Sequence, residues 1–137
     1  MAELSKAASL RGIGVIRGLV LINLALVAFQ PISAGFFLSG YGLAAKVHGG
    51  VALALQLGVL VQAITAVVLW RLRRVPAWVA GLSIGLFVMV FLQVGLGYRR
   101  SFWLHVPLGV AMVVGLMRQI NMLNALWRER TAVTAMR

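Results

Sequence analysis

Two imidazoles, His48 and His105, are the only side chains here suited to hold a metal or carry charge inside an apolar protein. Cysteine and aspartate are both absent, and the two acids are Glu3 and Glu129 near the ends of the chain. With no carboxylate pair, acid–base catalysis of the glycosidase or protease kind has no candidates. No Ser/His/Asp set can be assembled, and GxxxxGK[ST] does not occur. The missing thiols also exclude disulfides, iron–sulfur clusters and covalently attached c-type haem. Two histidines without a third protein ligand make an incomplete zinc or copper site. They are, however, a complete pair of axial ligands for the iron of a b-type haem.

The neighbours of the two histidines fit that chemistry. Gly49, Gly50 and Ala52 follow His48, and Pro107, Gly109 and Ala111 follow His105. Small residues beside a ligand leave room for a flat macrocycle, so Gly49 and Gly109 are expected at the cofactor. Lys46, Arg99 and Arg100 lie close in sequence to the histidines and are expected to pair with haem propionates, Arg in bidentate fashion. Gln30 and Gln93 precede the histidines. They read as packing and hydrogen-bonding residues, or as polar contacts to the haem or to a quinone head group. Met112 and Met117 read as core filler.

The elements that must position these residues are membrane spans. The chain has 137 residues, of which 62% are hydrophobic and 11% charged. Ordinary soluble domains hold about 45–50% apolar and about 25% charged residues. A mean hydropathy of +1.00 agrees, and a core this small cannot hide so much apolar surface from water. Four apolar runs, at about residues 15–37, 45–70, 76–97 and 102–127, are each long enough to cross about 30 Å of hydrocarbon. The pattern Lys6, Arg11, Arg17, apolar stretch, Ile32-Ser33-Ala34 resembles a signal peptide, but is read as a retained first span. Pro31 is expected to kink it.

Short connections make neighbouring spans antiparallel, so the fold class is an all-α, up-down-up-down, integral membrane four-helix bundle forming a single domain. The formal net charge is +11, from 13 Lys+Arg against 2 Asp+Glu. Its patterning at span ends points to membrane anchoring and away from nucleic acid. Ten cations (Lys6, Arg11, Arg17, Arg71, Arg73, Arg74, Arg118, Arg128, Arg130 and Arg137) fall on the side of the termini and three (Lys46, Arg99, Arg100) on the other. That asymmetry places both termini in the cytoplasm of a bacterial inner membrane.

In this arrangement the second and fourth spans are diagonal, and each histidine lies three residues inside its span at similar depth near the outer face. Helices about 8–10 Å apart leave roughly 11–14 Å across the diagonal, enough for two imidazoles with one iron between them. A weak internal repeat supports the pairing. Aligning His48 with His105 also aligns Ala54 with Ala111, Gly58 with Gly115 and Gln62 with Gln119. Repeats of this kind often place a site at their interface.

The order Gln30…Gly35-Phe36-Phe37…Val47-His48-Gly49, then Leu92-Gln93…Leu104-His105, resembles small four-helix actinobacterial membrane proteins of unassigned function. It also resembles one half of haem A synthase, over about residues 14–127. In that family each four-helix half carries a histidine at the start of its second and fourth helices, and the pair ligates a b-type haem. The resemblance implies axial ligation by His48 and His105. It does not imply the synthase activity: the family's glutamate position is Ala45 here, its loop cysteines are missing, and one bundle stands in place of two.

The expected function is therefore electron transfer by a bis-histidine cytochrome, an electron carrier more than a catalyst, with quinol or a larger redox complex as partner. Two imidazoles fill both axial positions, which favours electron transfer over oxygen chemistry. The alternative is a cofactor-free structural or accessory subunit, whose Gly-rich helices would suit assembly, self-association included. A transporter or channel is least favoured, since no intramembrane acid or broken-helix pair marks a substrate path.

Overall fold

A computed structural model describes the backbone of residues 2–135 and the side chains of residues 7–132. Lys6, Arg137 and Glu3, invoked above for charge placement, lie outside the described side chains. The chain forms α1 (Ala2–Leu38), α2 (Gly42–Arg71), α3 (Ala77–Tyr98) and α4 (Phe102–Ala135). All four are long and apolar enough to cross a membrane, so the chain is a multi-pass membrane protein in contact with lipid. Large apolar side chains such as Leu21, Leu57, Val88 and Val110 stand exposed on the outside, as they must where the solvent is hydrocarbon.

Helix α1 packs on α2 and α4, and α3 packs on the same two; α1 and α3, like α2 and α4, face each other across a diagonal. The second and fourth helices are thus diagonal, as expected. The helices begin earlier than the apolar runs suggest: α1 at Ala2 instead of about residue 15, and α2 at Gly42 instead of about residue 45. Helix α1 continues through Pro31 without a break in assignment.

Each connection closes with the same pair of backbone bonds. At 39–41, Gly40 N–H donates to Phe37 O and Tyr41 N–H to Phe36 O; at 99–101, Arg100 N–H donates to Gly97 O and Ser101 N–H to Leu96 O. Arg73 and Arg74 repeat the pattern on Trp70 and Leu69. This is the Schellman termination, which needs a left-handed residue after the helix. Gly40 takes that conformation at φ 91, but the other two positions are arginines, Arg73 at φ 56 and Arg100 at φ 55. The two outermost turns therefore match with an offset of sixty residues, whereas the histidines are 57 apart. In turn register His105 corresponds to Ala45. Counted instead from Gln62 and Gln119, whose side chains hydrogen-bond at 3.0 Å, both histidines lie fourteen residues away and are in step.

The core is not uniform along the bundle. Ile13, Ile16, Val20, Val59, Val79, Leu116 and Leu123 are dry. Within it, each helix contributes one fully buried polar side chain to a single node. Asn23 Nδ2 donates to Gln62 Oε1 (2.8 Å), Gln62 Nε2 donates to Gln119 Oε1 (3.0 Å), and Gln119 Nε2 donates to Ser83 Oγ (2.9 Å). In hydrocarbon such groups must find partners in the protein. Gly58 is required here, because a methyl at this position would overlap the Asn23 carboxamide. Toward the histidines the core ends. Between Val27 and Leu55 only Ser33 is buried, and between Val90 and Met112 nothing is.

Candidate functional site

The site lies at the loosely packed end of the bundle, near the connections 39–41 and 99–101. The ring centroids of His48 and His105 are 6.4 Å apart with a 55° angle between planes. The diagonal helices thus bring together the two residues singled out in the sequence. Both are half-buried. Among the described residues no group of three or more His, Cys, Asp or Glu forms, so a metal ion would find two protein donors and no more.

Each imidazole is oriented through Nδ1. His105 Nδ1 lies 2.9 Å from the backbone carbonyl of Gln93. That oxygen only accepts, so Nδ1 carries the proton and the lone pair of the neutral ring is on Nε2. His48 Nδ1 lies 3.0 Å from Ser33 Oγ, and Ser33 Oγ donates to the carbonyl of Gln30 at 3.0 Å. With its proton committed there, the hydroxyl accepts from His48 Nδ1–H, which again leaves the lone pair on Nε2. The two rings therefore reach corresponding anchors, the carbonyls of Gln30 and Gln93; His48 reaches Gln30 both through Ser33 and by a backbone hydrogen bond of its own. No hydrogen bond among the described residues engages either Nε2. A hydrogen-bonded Nδ1 with a free Nε2 is the usual disposition of a metal-binding histidine.

Ser33 was not among the candidates read from the sequence. Its only sequence signal is its place three residues after Gln30, one turn on and on the same face. It is 2% exposed, the one buried residue at this end of α1. Gln30 acts through its backbone carbonyl, and its side-chain oxygen sits 3.5 Å from Ser33 Oγ. Gln93 acts through both its carbonyl and its side chain, whose Nε2 donates to the carbonyl of His105 at 2.6 Å. Gln93 Oε1 is buried with no partner, an acceptor directed into the site region with nothing to accept.

The glycines divide into two kinds. A methyl at Gly49, Gly50, Gly35 or Gly95 would meet nothing within 4 Å, and all four are exposed, so the space beside them opens to the exterior of the bundle. Gly109 is different. A methyl there would lie 2.9 Å from Gln93 Nε2, so the glycine admits the glutamine amide. Gly97 has a role not read from the sequence. A methyl on it would lie 3.0 Å from His105 Cε1, so the ring rests against bare backbone. Lys46, Arg99 and Arg100 are all exposed at this end. No salt bridge involves them among the described residues, and each is free to meet an anion.

The opposite end is organised differently. Ser9 Oγ and Arg130 Nη1 both donate to the carbonyl of Arg74 (2.8 and 3.1 Å), and the Arg17 guanidinium stacks 5.0 Å from the Trp127 ring centroid. Trp127 is half-buried between α1 and α4. No family model, no curated protein and no solved structure matches the chain.

Proposed function

We propose that this chain is a bis-histidine membrane cytochrome that holds one b-type haem between His48 and His105 and passes single electrons. The observation that carries the reading is the 6.4 Å between the imidazole centroids. A metal–imidazole bond is about 2.0–2.1 Å and the ring centre lies roughly 1.1 Å beyond the nitrogen, so two imidazoles trans on one metal have centroids about 6.3 Å apart. Ordinary ring contacts also span about 4.5–7 Å; what adds to the spacing here is that both rings are anchored through Nδ1. The orphaned Gln93 Oε1 adds a polar atom at this end that a bound group would satisfy. The resemblance to one half of haem A synthase also supports the reading.

In this reading His48 and His105 supply Nε2 lone pairs, and the anchors on Nδ1 hold each ring in the correct tautomer. Bound there, the group supplies a reversible one-electron couple. Lys46, Arg99 and Arg100 neutralise its carboxylates at the membrane surface. The bundle runs up-down-up-down with both termini in the cytoplasm of a bacterial inner membrane, a topology supported by the Arg-rich end at Arg74 and Arg130. The site then faces outward, where a quinol or a subunit of a redox complex would exchange electrons with it.

The test is an optical spectrum of the protein purified after haem has been supplied. A Soret band with sharp visible bands on reduction is expected, and it should be lost or broadened in a His48→Ala,His105→Ala double variant. A colourless protein sinks the reading and leaves a cofactor-free accessory subunit, in which the rings merely tie α2 to α1 and α4 to α3.

A further inference from the structure

At the depth of the polar node three helices present an apolar face to lipid, and α4 does not. Beside the node α1 exposes Leu21 and Ile22, α2 exposes Val61 and Ile64, and α3 exposes Ile84. On α4 the exposed Val110, Val114 and Met117 are followed by Arg118, also exposed. Its neighbour Gln119 donates to Ser83 Oγ at 2.9 Å, and Ser83 lies six residues inside the start of α3 at Ala77. Arg118 therefore stands about 9 Å below that end of α3, inside the apolar span of α4. Helical Cα–Cβ bonds tilt toward the N-terminus. Helix α4 begins at the histidine end, so the Arg118 side chain sets out away from the nearer surface. No hydrogen bond or ion pair among the described residues engages that side chain. The one acid among the described side chains, Glu129, lies eleven residues further on. A charge inside a span needs a counter-charge or a polar partner, and the chain supplies none at this depth.

Asn121, Ala125 and Arg128 continue the same exposed face toward the near surface, within about a quarter of the helix circumference of Arg118. The Asn121 side chain leans back over the turn that carries Arg118, and it makes no hydrogen bond among the described residues. Ala125 leaves the following turn uncovered, and Arg128 stands at the end of the track. From this placement we infer that α4 carries a binding site for an anionic phospholipid, whose phosphodiester is held by Arg118 and Asn121. The guanidinium donates to two phosphate oxygens at once, the asparagine amide adds a neutral donor, and the acyl chains lie along the apolar face beyond Met117. No carboxylate stands at this depth to receive the ammonium of a zwitterionic headgroup, so the site selects a lipid with net negative charge. Glu129 adjoins Arg128 and offsets it, which leaves Arg118 to carry most of the selectivity. A second copy of the chain fits less well, since Glu129 belongs to the surface end of this same face. The site is independent of the haem reading.

Native mass spectrometry of the detergent-solubilised protein, with phosphatidylglycerol and phosphatidylcholine of matched acyl chains, tests it. The unaltered protein should retain one phosphatidylglycerol in preference to phosphatidylcholine. Arg118→Gln should weaken that retention about tenfold, as for the loss of a hydrogen bond to a charged group. Arg118→Lys should recover part of it, because the charge returns without the planar fork. Asn121→Ala and Arg128→Gln should each cost about threefold, in the range of a weaker polar contact. Arg11→Gln removes an exposed cation of α1 near the same end and should leave the preference unchanged. Helical circular dichroism identifies any variant that has failed to fold, and the remaining variants then decide. Equal retention of the two lipids by the unaltered protein would overturn the inference, as would an Arg11→Gln effect as large as that of Arg118→Gln. Displacement of the lipid by millimolar inorganic phosphate would overturn it in favour of a soluble anion. A dimer in lipid-free detergent that Arg118→Gln dissolves would overturn it in favour of a second copy.

Discussion

The two halves of the bundle obey opposite packing rules. In the half nearer the arginine-rich end, side chains from all four helices interlock and the polar node is buried to the last residue. In the half that carries the histidines, the same four helices run on but the core is open. Gly58 and Gly115 illustrate the first rule: a methyl on either would collide with the Asn23 amide or come 3.1 Å from Leu86. Gly49 and Gly50 illustrate the second. Each half holds glycines of both kinds, since Gly97 and Gly109 are tight in the histidine half and Gly18, Gly81 and Gly85 are open in the other, so glycine content alone does not distinguish them. The lesson is a division of labour. The closed half sets the register of the helices, and the open half holds the rings in a place that core packing does not fill. Gln62 and Gln119 lie fourteen residues beyond His48 and His105, so register set at the node extends about 21 Å along both helices to the rings.

That division can be broken by substitutions of matched chemistry in the two halves, scored by reversible unfolding in mixed detergent. Leu116→Ala, in the dry core, should cost about 2–5 kcal/mol. Leu104→Ala, on the exposed surface of the histidine half, should cost little by the same measurement. Next in size is Gly58→Ala, which should cost about 1–3 kcal/mol by forcing the Asn23 amide out of the node. Gly49→Ala should be neutral or stabilise by up to about 1 kcal/mol, since it meets no neighbour and raises helix propensity. If the two alanine variants behave alike, the halves are not packed differently. Gln62→Leu removes the centre of the node and should cost roughly 0.6–1.7 kcal/mol, the range for polar contacts between membrane helices. A gain in stability would show instead that the node serves specificity at a cost. Arg17→Gln, which removes the stacking on Trp127, should cost about 0.5–1 kcal/mol.

Much of this comparison has a visible trace in the residues. Gln62 and Gln119 stood out as aligned partners of the two histidines, and the node shows why polar residues at that spacing are tolerable in lipid. Asn23 and Ser83 had no such signal, because a single amide or hydroxyl in an apolar run reads the same whether it faces lipid, core or another polar group. Ser33 was hidden for the same reason. Gly109 was read as a position needing a small residue, and the neighbour it admits is the Gln93 amide. Spacing along one helix does not reveal that a glutamine from the next helix fills the gap.

Composition alone determined that the chain must be helical and lipid-covered. So much apolar surface cannot be hidden in a small globule, and backbone groups in hydrocarbon must bond within their own segment. The period and length of the runs settled the number of helices, and the scarcity of ionisable groups left His48 and His105 as the only pair with coordination chemistry. Only the tertiary structure decided that their rings stand 6.4 Å apart and that Ser33 and the carbonyls of Gln30 and Gln93 orient them. The reason is geometric. Depth in the bundle follows where each helix begins and how its turn closes, and hydrogen bonds between helices depend on rotation about axes that an apolar sequence, facing lipid and core with the same side chains, leaves almost unmarked.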